Sequence, residues 1–459
     1  MNNGNVRLKE YEMFTVTSCE YKKEIDDYGC AKIQGYVANE DYNSFKAKAK
    51  LEDCFFIEEV IDSKIETIFS GILDSISYKA DKGIYYITIK LEGMLKKLNR
   101  VNYTRIFQDS ENSLDSIISL ISKEIKIECK VRSTYSKIIP HMVVQYQETD
   151  WSFIKRIVNE IGGCIVPEYK NSSCRMYVGV NNDLGIYINS EKYLLNSLYE
   201  EYENKKANGM SVYADDSYEY IVKESMNMEL GDKVYLNGKC LYVYRVEGKW
   251  EGSEINHYYT LREKRAFVSL AEKNYDLCGA CFTARVKSIN HDKIEVSYED
   301  VEAYGGCEYA YATVYSSVNG AGWYCMPEIG DKVTINFASF EPNSAYASGS
   351  VHLEMGTQDP NTKFIKNTYG KEIRFTKDSL TITNNSGTEI VLSDQDGLIL
   401  SSAGNIVLEA EKEISISSLN ERVTLQGETG VELSQGDSKV IVNGDVKLVG
   451  QQVHIQNLE

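Results

Sequence analysis

From Glu372 to Glu459, short apolar pairs recur at i and i+2: Ile373/Phe375, Leu380/Ile382, Ile390/Leu392, Leu398/Leu400, Ile406/Leu408, Ile414/Ile416, Val423/Leu425, Val431/Leu433, Val440/Val442, Val446/Leu448 and Val453/Ile455. They follow one another about eight residues apart, which is a fixed-period repeat. Within each pair the period is two, that of a strand with one apolar face rather than a helix. Turn formers fill the gaps, among them Asn384-Asn385-Ser386-Gly387 and Asn443-Gly444-Asp445, and they reverse the chain at low steric cost. Strands this short cannot bury an apolar face alone, and no helical pattern in the segment would cover it. Two architectures answer this. One chain coils into a parallel β-helix of about three strands per turn, or three chains wind into a triangular β-prism, each supplying every third strand on each face. The repeat length suits both. The small strand number leans toward the trimer, because a one-chain coil would have a thin core and two open ends. As a prism, strands rising about 4.8 Å each give a needle roughly 50 Å long.

Upstream the pattern is also mainly that of strands. Residues 1–100 alternate through Phe14-Thr15-Val16, Ala31 to Val37, Ala47 to Leu51, Thr67 to Leu73 and Tyr85 to Leu91, many short strands of the kind that close barrels. Residues 113–125 read as a helix, with Leu114, Ile117, Ile118, Ile121 and Ile125 on one face. A second helix is better marked. Thr149 is its cap, Asp150 complements the dipole, Trp151, Ile154, Val158 and Ile161 form its stripe, and Gly162-Gly163 stops it. Strands then run to about residue 230 and imply a second barrel-like unit. Two more, through Leu230–Val234 and Gly238–Gly248, return to complete the first barrel with Tyr258–Leu261. Five strands within 278–353 suit a small OB-type barrel. The expected fold is therefore mainly β, with hub barrel 1 over 1–110 and 230–265 and helices plus hub barrel 2 over 111–229. An OB-fold barrel over 266–355, a linker over 356–370 and a triangular β-helix needle over 371–459 complete it.

Composition narrows the function. A net charge of −18 argues against sequence-independent nucleic-acid binding, which needs a positive surface. Tyr at 34 and Pro at 5 suit a β-rich chain. No apolar run reaches the roughly twenty residues of a membrane span, and Met1-Asn2-Asn3-Gly4-Asn5 lacks the apolar core of a signal peptide. Assembly in a cytoplasm is the expectation. The 11 cysteines fit reduced, buried thiols better than a disulfide framework. Cys278-Gly279-Ala280-Cys281 is a lone CxxC with neither a second ligand pair nor a thioredoxin-like setting.

Three local matches, in chain order, resemble the VgrG family, the central spike proteins of contractile injection systems, together with the fused hub and spike of contractile phage tails. Gln145-Tyr146-Gln147-Glu148-Thr149-Asp150-Trp151-Ser152-Phe153-Ile154-Lys155-Arg156-Ile157 resembles the hub helix of that family. Met326-Pro327-Glu328-Ile329-Gly330-Asp331-Lys332-Val333 through Phe337, ending at Gly349-Ser350-Val351, resembles its OB-barrel signature. Thr368-Tyr369-Gly370-Lys371-Glu372-Ile373 resembles the lead-in to its needle. The family's usual proline-bounded turn after the Phe337 strand is replaced by Glu341-Pro342-Asn343-Ser344-Ala345. The resemblance implies a homotrimeric spike. It joins an Hcp-like inner tube and baseplate proteins to a PAAR-like tip protein, carries effector cargo, and is driven mechanically through a target envelope.

The sequence holds no HExxH, GxSxG, Walker A or GxGxxG pattern. Its Gly305-Gly306 and Gly320-Ala321-Gly322 read as turns. No catalytic residue and no cofactor are assigned. One metal candidate remains, His454 in Val453-His454-Ile455, because three imidazoles at a threefold axis bind a metal. Strand alternation turns it outward instead. Two other functions compete with the spike. One is a β-helical polysaccharide-cleaving enzyme like a tailspike, which needs a one-chain coil and an acid/base groove. The other is a cell-surface adhesin, against which the missing signal peptide speaks.

Overall fold

The computed structural model describes residues 6–449 and 451–452, apart from 51–52, 62–63, 110, 123–124, 137, 140, 182–184, 253, 313–314, 317–321 and 351–358. The chain divides into two compact units, Met1–Leu353 and Glu354–Glu459.

The first unit is built on a 12-stranded sheet. The strands Val6–Leu8, Cys54–Ile61, Lys64–Asp81, Ile84–Gly93, Cys30–Ala38 and Thr15–Glu24 lie side by side. The chain then returns from far along the sequence, as the apolar pattern predicts. Lys239–Glu251 pairs antiparallel with Thr15–Glu24 and with Glu254–Arg262. Alternation sets the faces: Ala31, Ile33 and Val37 are buried while their neighbours are not. Bulges interrupt the ladders at Val16/Ser18, Leu73/Ser75 and Val243/Arg245, and such bulges increase local twist.

Two segments differ from the expected strands. Of the strand expected over Ala47–Leu51, Ala47 and Lys48 end a helix, α1 (Asn39–Lys48), and Ala49 caps it, while Leu51 lies outside the described residues. Glu40 and Asp41 in its first turn and Lys46 and Lys48 in its last complement the helix dipole. Phe45, fully buried with its ring centroid 5.2 Å from Tyr11 and 5.6 Å from Phe14, anchors it. The strands anticipated between 165 and 230 divide between two sheets. Ile165–Pro167 and Cys174–Val178 join Ile127–Val131 in a small sheet of their own, whereas Ile186–Ile188, Leu194–Ser197 and Tyr218–Lys223 extend the large one. Between them lies an unanticipated helix, Tyr199–Ala207, whose Lys205 is buried and donates to the Ala266 carbonyl at 2.8 Å.

The small sheet packs on two helices, α2 (Leu114–Ile121) and α3 (Asp150–Glu160). Leu114, Ile117, Ile118, Trp151, Ile154 and Val158 meet Ile165, Met176 and Val178 in one core. Both N-termini are capped as their sequences require. Ser113 and Ser116 exchange hydrogen bonds at α2, and the Thr149 hydroxyl accepts from the Ser152 N–H at 3.2 Å at α3.

Among the described residues one barrel is closed, by Cys281–Asn290, Lys293–Tyr298, Glu308–Ala312, Ala345–Ser350 and Lys332–Phe337 in that order. These are the five segments anticipated for the OB-type barrel, although Val351 lies outside the described residues. Phe282, Ala284, Val286, Ile294, Val296, Val333, Ile335 and Phe337 point inward.

The second unit carries a five-stranded meander, Lys363–Lys366, Glu372–Phe375, Ser379–Thr383, Thr388–Ser393 and Gly397–Ser402, each strand antiparallel to the next. A second meander joins Val431–Gln435, Ser438–Val442 and Val446–Val449. Successive repeats thus pair with each other inside one chain. Ile406/Leu408, Ile414/Ile416 and Val423/Leu425 lie in no strand. Val453/Ile455 lie outside the described residues. The first needle strand falls within the expected linker, at Lys363–Lys366.

Candidate assembly surface

The five-stranded meander has one apolar face. Its register sets Ile365, Ile373, Ile382, Ile390 and Leu400 opposite one another, in a single row across all five strands. A second row, two residues along, holds Phe375, Leu380, Leu392 and Leu398. Paired positions, and positions two apart along a strand, share a face, so these side chains make one continuous surface. The single chain leaves it open: Ile390 is 40% exposed, Ile382 44%, Leu400 48% and Leu398 61%. The second meander repeats the pattern, with Val431 opposite Val442 and Leu433 opposite Val440. Between the meanders Ile406, Leu408, Ile414, Ile416 and Leu425 are also exposed. No buried core is found in this unit among the described residues. A contiguous apolar patch of this kind marks an interaction surface.

The opposite face of the meander is mixed: Phe364, Arg374, Thr381, Val391 and Ile399 share its middle row, and a polar cluster sits at its first hairpin. Glu372, only 3% exposed, accepts from Arg374 Nε at 2.5 Å and Asn385 Nδ2 at 3.3 Å. The Arg374 hydrogen bond holds the Glu372 carboxyl below its ordinary value against the opposing push of desolvation. Asn385 also donates to the Gly370 carbonyl at 2.6 Å. Gly370, at φ 79, turns the chain between the first two strands. The motif Thr368 to Ile373 is therefore the hairpin that opens this sheet.

The two upstream motifs are scaffolds as well. In the hub motif, Asp150 receives Arg105 at 2.7 Å and Gln145 Nε2 at 2.9 Å, all three buried. Arg156 reaches back to the Val144 carbonyl at 2.8 Å and pairs with Glu148. In the barrel motif, Gly330 takes φ 96, and the Asp331 carboxylate accepts the Glu328 N–H at 2.8 Å, which sets the turn before the buried Val333 and Phe337. The divergent loop after Phe337 closes as a single 3-10 turn, Pro342–Ser344, with Ser344 donating to the Glu341 carbonyl at 2.7 Å.

Reactive groups are placed as follows. His454 lies outside the described residues. Cys278 and Cys281 are both exposed where the chain enters the barrel, and all 11 cysteines are free thiols. Gly305 makes a turn at φ 76, while Gly320 and Ala321 lie outside the described residues. Two constellations escape sequence reading because their members are far apart in the chain. His257 bridges the Tyr21 hydroxyl at 2.7 Å and Glu59 Oε2 at 2.8 Å, all three buried. A cavity of about 230 Å³ brings together Gln108, His141 and Cys307. There His141 Nδ1 meets the Met142 carbonyl at 3.0 Å and Nε2 meets Glu160 at 3.0 Å. Burial pushes the Cys307 thiol up, and a protonated thiol is a weak nucleophile. Among the described residues no group of three or more His, Cys, Asp or Glu is placed to hold a metal ion, and no helix is long and apolar enough to cross a membrane.

No family model and no curated protein matches the sequence. Solved structures match the fold. The E. coli c3393 protein is a component of the type VI secretion system with structural similarity to the T4 bacteriophage tail proteins gp27 and gp5. It aligns over 75% of this chain and 99% of its own, with a TM-score of 0.52 and 14% identity. The lidless PdpA–VgrG complex aligns over 87% of this chain and 94% of its own, with a TM-score of 0.55 and 12% identity. The half-lidded Francisella PdpA–VgrG complex aligns over 87% and 84%, with a TM-score of 0.54 and 12% identity. The chain has the mainly β fold of these hub-and-spike proteins.

Proposed function

We propose that the chain is the hub-and-spike subunit of a contractile injection particle and works as a homotrimer. The observation that carries this reading is the open apolar face of the Lys363–Ser402 meander. Three copies, with those faces turned to a common axis, would remove the apolar rows from water. At about 1.5–3 kcal/mol per fully buried side chain, the gain makes assembly effectively obligate. The fold likeness to VgrG and to the gp27- and gp5-like tail proteins supports the same reading.

The role is mechanical. The hub seats an Hcp-like inner tube and contacts baseplate proteins, and the closed needle transmits axial load to a PAAR-like tip protein. The particle assembles in the cytoplasm and is then driven through a target envelope with its cargo. The complex of VgrG with PdpA supports a cargo or accessory partner of comparable kind. Solution mass tests the proposal. Light scattering of the purified chain is expected at three times 52.0 kDa, about 156 kDa. A stable species of 52.0 kDa would overturn it and favour the one-chain enzyme.

A further inference from the structure

The small sheet of Ile127–Val131, Ile165–Pro167 and Cys174–Val178 has a second side, on which Val166 and Tyr177 pack against the core of the large sheet. Ile165, Met176 and Val178 face the helices. The alternate positions face away: Glu128 lies level with Arg175, and Lys130 and Val166 lie level with Tyr177. Arg132 continues this alternation one step past the strand, with its N–H on the Val178 carbonyl at 3.1 Å. Over this side lies a cavity of about 490 Å³, walled by the loop Glu229 to Asp232. That volume falls within the range of small-molecule sites.

The carboxylates of this cavity are already engaged. Glu168 receives the Tyr177 hydroxyl at 3.1 Å and Arg175 at 3.4 Å. Glu229 pairs with Lys170 at 2.9 Å and Lys23 at 3.4 Å. Asp232 accepts the Glu229 N–H at 2.8 Å. Two cations are left over. Arg132 and Lys130 pair with no carboxylate among the described residues, and Arg132 Nε is buried without an acceptor. The guanidinium is held 5.6 Å from the Tyr177 ring centroid. A buried guanidinium N–H lacking an acceptor is costly, and it is matched by the two oxygens of a carboxylate or phosphate. In a chain of net charge −18, long-range attraction does not bring anions to this point, so selectivity for them must come from local donors.

We infer that this cavity binds a small organic anion whose phosphate or carboxylate group is held by Arg132, with Lys130 as the second cation. The site lies within the first unit, and its test reads anion binding rather than oligomeric state. Thermal unfolding of the full chain is measured with inorganic phosphate, with succinate and with sodium chloride at equal ionic strength. Phosphate or succinate, but not chloride, is expected to raise the unfolding midpoint saturably. Arg132→Gln is expected to weaken binding at least tenfold and Lys130→Gln several-fold, as losing a charged donor requires. Arg285→Gln, on the barrel and paired with Glu299 at 2.7 Å, is expected to bind as the parent chain does. If Arg132→Gln does not fold, Arg132→Lys serves, since it keeps the charge but loses the fork and is expected to bind weakly. An equal shift with chloride, no shift with either anion, or parent-like binding by the Arg132 and Lys130 variants overturns the inference.

Discussion

At the residue scale, the most informative group is Asp26. It sits at φ 59, accepts the Ile165 N–H through Oδ1 at 2.6 Å, and its own N–H donates to the Ile165 carbonyl at 2.9 Å. Burial pushes its carboxyl up to about 6, outweighing the Ile165 hydrogen bond and Lys155. The folded chain therefore holds this proton more tightly than the unfolded chain. Stability from this residue is greatest below the unfolded value of 3.8, falls as pH rises toward 6, and stays reduced above it. Asp26→Asn keeps a carbonyl acceptor and cannot ionise. Its stability advantage over the parent is expected to grow by roughly 2–3 kcal/mol between pH 4 and pH 7. Denaturant midpoints of the two proteins across that range check this, and a constant difference rules it out. Gly248 is a second case. It lies opposite Tyr21, and a Cβ there would fall 2.2 Å from the ring. Gly248→Ala is expected to destabilise by about 1–3 kcal/mol, because the ring that carries the His257 hydrogen bond must move. Urea unfolding measures it, and a neutral result contradicts the packing.

At the scale of elements, the apolar face is tested by sign and side. Ile390→Lys puts a charge in the middle of the five-strand row and is expected to leave single chains of 52.0 kDa. Glu389→Lys, one residue away on the other face and opposite Ser401, is expected to stay assembled. Size-exclusion chromatography with light scattering separates the outcomes, and dissociation of both variants alike would deny that the two faces differ. The same elements show what a sequence reveals. Helix α3 was legible because its information is local: Thr149, Asp150, the apolar stripe and Gly162-Gly163 lie within one short stretch. The i, i+2 pairs from Ile373 to Leu400 and from Val431 to Leu448, apart from the unpaired repeats between them, were legible as strands for the same reason. The Ala47–Leu51 alternation misled because Lys48 and Lys50 flank small alanines, which fit a helix end as well as a strand. The order of strands between 165 and 230 was not legible, since their apolar positions fit either sheet. The His257–Glu59 pair, 198 residues apart, and the unpaired Arg132 are products of tertiary placement and leave no local signal.

At the scale of the whole molecule, the unpaired repeats set the last test. Between the two meanders, residues 403–430 keep the alternating pattern yet form no strand, and their apolar side chains stand exposed. The upstream repeats find partners within the chain because hairpin turns join them. The middle repeats have no strand partner among the described residues, so most of their ladder positions remain available to another chain. Strand formation there should therefore depend on assembly. In the proposed trimer, amides of 403–430 are expected to resist hydrogen exchange about as well as those of Ser379–Ser402, whereas in the Ile390→Lys chain they should exchange freely. Exchange followed by mass spectrometry on both species reads this directly. Protection in the isolated chain would mean that the segment closes on itself and that the spike needs no sister molecules there. Free exchange in the trimer would confine the load-bearing contact to the two meanders. The expected result makes one cause account for the open apolar rows and the missing strands, namely that this part of the sequence is written for three chains and only partly folds in one.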